Sequence, residues 1–501
     1  MRGTNLDQKE KWLFWACFIS LIATAFGFIV RTQVIDTWGE QFNLTETQKG
    51  EIFGVGLWPF AISIVLFSLV VDRVGYSKAM LFAFVCHVSS AIVTITAEGY
   101  WGLYVGTFIV ALGNGTVEAV INPVVTTIFP REKTKWLNIL HAGWPGGLVL
   151  GGLIGLLIGP AVDWRWKVAL IFLPTLVYGV MMIRAQFPIQ ERVAAGVSYK
   201  AMLQEAGILG CVLVVGLILL EVGRVAELPA GVLWLTGGAL VLAYGLYARS
   251  WGRPMFLFLL LVMIPLATTE LGTDSWITSL LTPEMERLGL QAGWVLVYTS
   301  LIMMVLRFFA GPIVHRISPL GLLAVSSLIA AVGLIFLSQS TGFAVLLAAT
   351  LYGFGKTFFW PTMLGVVSEQ FPKGGALTLN TIGAVGMLGV GVVGAALLGN
   401  VQDREVDQQL LAKDPSLHER VAGDERLSVF GSYRTIDSQK MEGATGSEKQ
   451  VVSGLQEGAK RGALASVAFL PIIMLACYLV LIFYFRSRGG YKAETLGPGA
   501  G

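Results

Sequence analysis

Charge is scarce in this chain: Asp, Glu, Lys and Arg make up 13% of its 501 residues, against roughly 25% in soluble proteins. That excludes an ordinary water-soluble globule. The net charge is only +3 and the bases fall in short clusters between apolar runs, so no nucleic-acid partner is expected. Cys17, Cys86, Cys211 and Cys477 lie in separate apolar runs without C-x-x-C spacing, which excludes a disulfide framework and a thiolate metal site. The four histidines are scattered. With no nucleophile–base pair, ligand cluster, P-loop, HExxH, GxSxG or kinase signature, neither a cofactor nor enzyme chemistry is expected. The first twelve residues, MRGTNLDQKEKW, carry acids among the bases and no small-residue cleavage site follows, so they read as the start of an uncleaved first helix.

What is abundant is apolar: 55% hydrophobic residues and a mean hydropathy of +0.70. Runs of about twenty apolar residues, the length that crosses a bilayer, fall at 12–35, 50–71, 79–97, 103–128, 136–162 and 168–185. Two more follow at 206–225 and 230–248, then six at 254–281, 292–314, 320–337, 343–371, 377–398 and 463–485. The expectation is an all-α polytopic membrane protein with fourteen transmembrane helices, arranged six plus two plus six. Its units are residues 1–190, a linker with two inserted helices at 191–253, and 254–501 with an outer loop at about 400–461. Bases concentrate in alternate short loops, so the positive-inside rule puts both termini in the cytoplasm and the chain in the inner (plasma) membrane, multi-pass. The 400–461 segment then lies outside, as short surface helices joined by flexible sequence. Sixty glycines, in runs such as GGLVLGGLIGLLIG, point to close helix packing and not to a phosphate loop.

The stretch 113–147 organises the chain. Asn114, Glu118 and Asn122 recur every four residues and share one helical face. A charge at mid-membrane costs roughly 2.5–3.5 kcal/mol even on the lenient insertion scale, so that face looks onto a cavity or a partner. Lys356, central in its run, has Tyr352 and Trp360 on its face. It either binds solute or pairs with Glu270 or Asp274. Arg31, roughly 28 Å along its helix from Trp12, is close to the outer interface. Gln33, His141, Asn380 and Trp276 are candidate cavity-lining groups, and His87 reads as a satisfied interior histidine. Arg307 lies one to two turns from the inner end of its run, where a gate or loop contact is expected.

The loop at 68–80, SLVVDRVGYSKAM, resembles the major facilitator superfamily signature G-x-L-x-D-R-x-G-R-R/K through Asp72, Arg73, Gly75 and Lys78, with Ser68 in place of the first glycine. RFFAGPIVHRIS at 307–318 is its echo in the second half, keeping Gly311 and Arg316. Such repeats place the site between two six-helix bundles near the midplane. Within the superfamily the chain resembles the fucose/galactose/glucose:proton symporters. Glu118–Asn122–Pro123 stands for E-x-x-x-N-P, 270–276 (ELGTDSW) for E-x-x-x-x-S-W, and 358–365 (FFWPTMLG) for the Y-P-T segment. The acid of the first helix is replaced by Thr32, and an asparagine of the fifth by Trp144. The resemblance implies proton-coupled symport of a sugar or sugar-like solute by alternating access, by a monomer, with Glu118 as the proton carrier and Glu270 and Asp274 as candidate substitutes for the missing acid. Lys356 and Arg31 favour the alternative, an organic-anion carrier of uronate type. A nutrient sensor that does not transport would normally need a cytoplasmic output domain, and the cytoplasmic loops are short.

Overall fold

The structure is a computed structural model that describes residues 7–159, 161–273, 281, 285–287, 289, 293–428 and 431–496. Six helices open the chain: α1 (Gln8–Phe42), α2 (Gln48–Val74), α3 (Tyr76–Ile95), α4 (Tyr100–Ile128), α5 (Lys133–Ile158) and α6 (Trp164–Ile183). Next come α7 (Tyr199–Val225) and α8 (Ala230–Ala248). Then follow α9 (Pro254–Gly272), α10 (Trp294–Phe308), α11 (Ala310–Gln339), α12 (Ala344–Lys356, resuming at Phe359–Gln370), α13 (Pro372–Gly394) and α14 (Gly446–Ser487). Among the described residues, 12 helices are long and apolar enough to cross a membrane. Two further apolar helices, consistent with the fourteen expected, are shorter or broken: α10, which continues through the first turns of α11 as far as a break at Ser318, and α12, interrupted at 357–358.

Helix α1 packs on α5 and α6, and α4 on α2 and α3, closing the first bundle; α11 packs on α12 and α14 in the last. The bundles meet along α2 against α13 and α5 against α10. Glycine makes the close approaches: a Cβ on Gly147 would lie 2.7 Å from that of Ala25, and one on Gly333 would lie 2.7 Å from the Tyr352 Cα. Helix α7 leans on α13, whereas α8 touches mainly α7 and buries only Ala248.

The 400–461 segment corrects the sequence expectation of loosely joined surface helices. Helix α13 runs on as Ala395–Lys413, which packs against the polar start of α14; a short helix (Pro415–Val421) and an antiparallel hairpin, β1 (Ala422–Ser428) and β2 (Gly431–Ile436), lie between them. Leu410, Leu417, Val421 and Val452 form a core of their own, with Ile436, Met441 and Leu455 packed on it. Helically spaced apolar residues within the charged sequence supply it: Val406, Leu410, Leu417 and Val421 are all buried.

Candidate functional site

The site lies where the bundles meet, and three prolines prepare it. A proline has no N–H to donate to the carbonyl four residues earlier, which is left available. Pro123 releases the Ala119 carbonyl, which accepts from Asn380 Nδ2 of α13 at 3.0 Å. Pro145 releases the His141 carbonyl, which accepts from Arg307 Nη1 at 2.7 Å. Pro361 releases that of Thr357, which accepts from Arg307 Nε at 2.8 Å. Two of these three bonds join one bundle to the other, and all three are buried.

On the first-bundle side, Asn122 Nδ2 donates to Glu118 Oε2 at 2.7 Å, and Asn122 Oδ1 faces His141 Nε2 at 2.9 Å. That imidazole nitrogen lies 4.0 Å from Glu118 Oε2, and no other basic group lies within ion-pairing distance of this carboxylate among the described residues. On the other side, Glu270 is fully engaged. Arg307 Nη2 donates to its Oε1 at 2.7 Å and the Trp360 backbone N–H to its Oε2 at 2.8 Å. The interruption of α12 at 357–358 makes the second bond available, because it turns the Trp360 N–H away from its own helix. A chain of polar contacts therefore runs from Glu118 through Asn122, His141 and Arg307 to Glu270.

Arg307 thus lies inside the seam, farther from the turn that ends its helix than the apolar run suggested. The helix it belongs to continues to residue 317, past the end of the apolar run, so about 15 Å of helix separates Arg307 from the turn. It, and not Lys356, is the cation on the Glu270 carboxylate; Lys356 Nζ reaches the Glu270 carbonyl at 3.5 Å and lies 5.7 Å above the Tyr352 ring. The Tyr352 hydroxyl bonds Thr273 Oγ1 at 2.7 Å and the Thr269 carbonyl. Asp274 and Trp276 lie outside the described residues.

Asn114 belongs to a second cluster, with His87 Nε2 at 2.9 Å from its Oδ1 and the Tyr178 hydroxyl at 2.9 Å from His87 Nδ1. Next to it Arg31 donates to Ser90 Oγ at 2.7 Å and to the Gly27 carbonyl at 3.1 Å. Arg31 and Asn114 border a cavity of about 70 Å³ near the end remote from the termini, with Phe28, Thr32, Trp38 and Phe53. Gln33 is turned away and ties α1 to α5 through the Gly152 carbonyl at 3.2 Å. Trp144 is half-buried, 6.0 Å from Phe28.

The end that carries both termini is clamped shut. Lys133 bridges Glu191 at 2.6 Å and the Ser368 carbonyl at 3.2 Å; Glu369 Oε1 accepts from Thr134 N and Oγ1 at 3.1 and 2.6 Å; Asn138 Nδ2 donates to Thr362 Oγ1 at 3.1 Å. The sequence alone drew no attention to Lys133, Asn138 or Glu369. Their signal is their position, polar groups on the facing ends of α5 and α12.

The sequence profile of the Major Facilitator Superfamily matches residues 16–396. The chain belongs to the major facilitator superfamily. The family and the relatives named here are transporters, not enzymes. The chain is 27% identical to the MFS transporter L2 of Phoma sp. over 216 residues, 41% of this chain and 34% of that one. It is 26% identical to the hexuronate transporter of Bacillus subtilis over 147 residues, 29% of this chain and 35% of that one. The matches thus span about a third of the length of these two relatives. In fold it is similar to the Escherichia coli fucose:proton symporter, with a TM-score of 0.55, 15% identity and coverage of 93% of this chain and 99% of the other. As a major facilitator superfamily member it carries the signature loop between α2 and α3. There Asp72 pairs with Arg192, Arg73 lies 4.7 Å above the Tyr199 ring, and Lys78 is exposed. Its echo carries an exposed Arg316, with the neighbouring His315 3.1 Å from Glu132 across the seam.

Proposed function

We propose that this chain is a secondary active transporter that carries a sugar or sugar-like solute together with a proton by alternating access. Both termini lie in the cytoplasm, the membrane is the plasma (inner) membrane, and residues 1–190 and 254–501 form the two rocking units. The observation that carries the reading is the inequality of the two buried carboxylates: Glu270 has an arginine and a backbone N–H, while Glu118 has an amide and one imidazole at 4.0 Å. An ionised Glu118 at mid-membrane is costly, and a proton on Oε1 removes that cost while Oε2 still accepts from Asn122. Once Glu118 is neutral, it no longer attracts Arg307 electrostatically. At mid-depth, Arg307 to the His141 carbonyl and Asn380 to the Ala119 carbonyl are then two neutral-acceptor bonds that rocking must break. The solute site lies between them and the outer cavity, with Lys356, Tyr352, Trp360, Trp144 and Asn114 as its walls. The test is uptake into proteoliposomes under an imposed pH gradient, with a panel of labelled hexoses, deoxyhexoses and uronates. Gradient-dependent uptake of a neutral sugar supports the reading, and its absence across the panel rejects it.

A second reading, an organic-anion carrier, is favoured by Arg31. It borders the outer cavity, its Nε is buried without a hydrogen-bond partner, and no carboxylate among the described residues pairs with it. The hexuronate transporter of Bacillus subtilis among the relatives agrees with that class. Uronate uptake that Arg31→Gln abolishes would favour it over the neutral sugar.

A further inference from the structure

At the end that carries both termini, a cavity of about 880 Å³ opens between the bundles. Arg131 and Lys135 reach it from the first bundle, and His315, Arg316 and Arg486 from the last. Glu132 satisfies Lys135 and His315, at 3.1 Å each. The other acid in the wall, Glu369, is occupied by Thr134 and by the Tyr491 hydroxyl at 2.8 Å. Among the described residues, Arg131, Arg316 and Arg486 pair with no carboxylate. Three uncompensated guanidiniums from two moving bodies therefore converge on one space, and their mutual repulsion favours opening unless an anion lies between them.

The wall on the remaining side is held in place. Tyr491 and Ala493 line the cavity, and the segment around them is pinned by Gln370 Nε2 to the Lys492 carbonyl at 2.9 Å and by the Glu494 N–H to the Glu369 carbonyl at 2.7 Å. Arg253 fixes the Glu494 carboxylate through bonds of 3.0 and 3.2 Å. Exposed arginines with planar, forked donors suit a tetrahedral oxyanion, to which they bond in pairs.

We propose that this cavity binds a phosphate group, which bridges Arg131 of the first bundle to Arg316 and Arg486 of the last and holds this end closed. The phosphate is that of an anionic phospholipid headgroup or of a soluble phosphate; both present the same oxyanion. Since Arg131 belongs to the first bundle and Arg316 and Arg486 to the last, an anion that bridges them binds the shut state better and shifts the population toward it.

The test uses the full chain in nanodiscs of phosphatidylcholine, with inorganic phosphate added in one arm and part of the lipid replaced by phosphatidylglycerol in the other. Chloride at equal ionic strength is the control. The readouts are the thermal midpoint and the distance between spin labels at positions 78 and 487, on a chain with its native cysteines replaced; neither requires the transported solute. The expected result is a raised midpoint and a larger short-distance population in at least one arm, with apparent affinity at least about tenfold weaker for each arginine replaced by Gln. A response to lipid alone identifies the headgroup, and a response to inorganic phosphate identifies the soluble anion. No response in either arm, an equal response to chloride, or an undiminished response in Arg131→Gln/Arg316→Gln/Arg486→Gln overturns the proposal. Should the triple variant fail to fold, Arg316→Gln, at an exposed position, gives the same comparison.

Discussion

Among the described residues, each bundle buries one carboxylate in the middle of the seam, Glu118 and Glu270, and the two are treated oppositely. Glu270 in α9 has both oxygens bonded, one to Arg307 and one to the Trp360 N–H. Glu118 in α4 is bonded at Oε2 by the Asn122 amide, with the His141 imidazole 4.0 Å away. A fully compensated buried charge gains nothing by taking a proton, whereas a carboxylate with only neutral donors does. On the proposed function the last bundle holds a fixed charge and the first a variable one, with Arg307 joined to both sides.

The most damaging way to break this contrast is Arg307→Met. Removing one partner of a buried ion pair costs about 3–5 kcal/mol, and the substitution also removes the cross-seam bond to the His141 carbonyl. A large fall in thermal midpoint is expected in detergent, with partial recovery in Arg307→Met/Glu270→Gln. If the double variant is no more stable than the single, Glu270 does not depend on Arg307. Glu118→Gln sharpens the contrast: stability should change by no more than about 1 kcal/mol, because the amide keeps an acceptor for Asn122. A midpoint loss as large as that of Arg307→Met would show that Glu118 is a structural charge like Glu270.

Pro361→Ala is a subtler intervention. It restores an N–H that competes with Arg307 for the Thr357 carbonyl, so solute uptake should fall about tenfold while the thermal midpoint hardly moves. Unchanged uptake would mean that the released carbonyl does not position the guanidinium. The smallest effect on the seam is expected from Leu410→Ala, which opens a cavity in the core of the 400–461 segment at a cost of about 2–5 kcal/mol confined to that unit. Protease sensitivity between 404 and 457 should rise and uptake should stay at the wild-type rate; impaired uptake would couple that segment to the bundles.

Much of this was legible in the sequence, because hydropathy and charge carry it directly. The fourteen apolar runs, the signature loop and the shared face of Glu118 and Asn122 need only residue order and helical period. His141 joined Glu118 as a cavity candidate, and it lies at the next step of the polar chain. What the runs could not show was where a crossing ends when polar residues continue its helix. Arg307 was measured from the last apolar residue, and the turn lies at Ser318. Nor does helical spacing reveal which cation faces an acid on a neighbouring helix: the sequence offered Lys356 for Glu270, and Arg307 holds that carboxylate, placed by carbonyls released by Pro145 and Pro361. Those prolines were visible, in GWPGG and FFWPT, and marked the site better than the distance to the end of a run. The packed outer segment was hidden by its charge, which masks apolar residues spaced for a small core of its own.

The central claim is that Glu118 is the group that gains and loses the proton. Its most direct test compares solute accumulation driven by a pH gradient with solute counterflow at equal pH, in proteoliposomes of wild type, Glu118→Gln and Glu270→Gln. The account predicts that Glu118→Gln loses accumulation and retains counterflow, while Glu270→Gln, with its ion pair broken, is impaired in both. Wild-type accumulation by Glu118→Gln would contradict it.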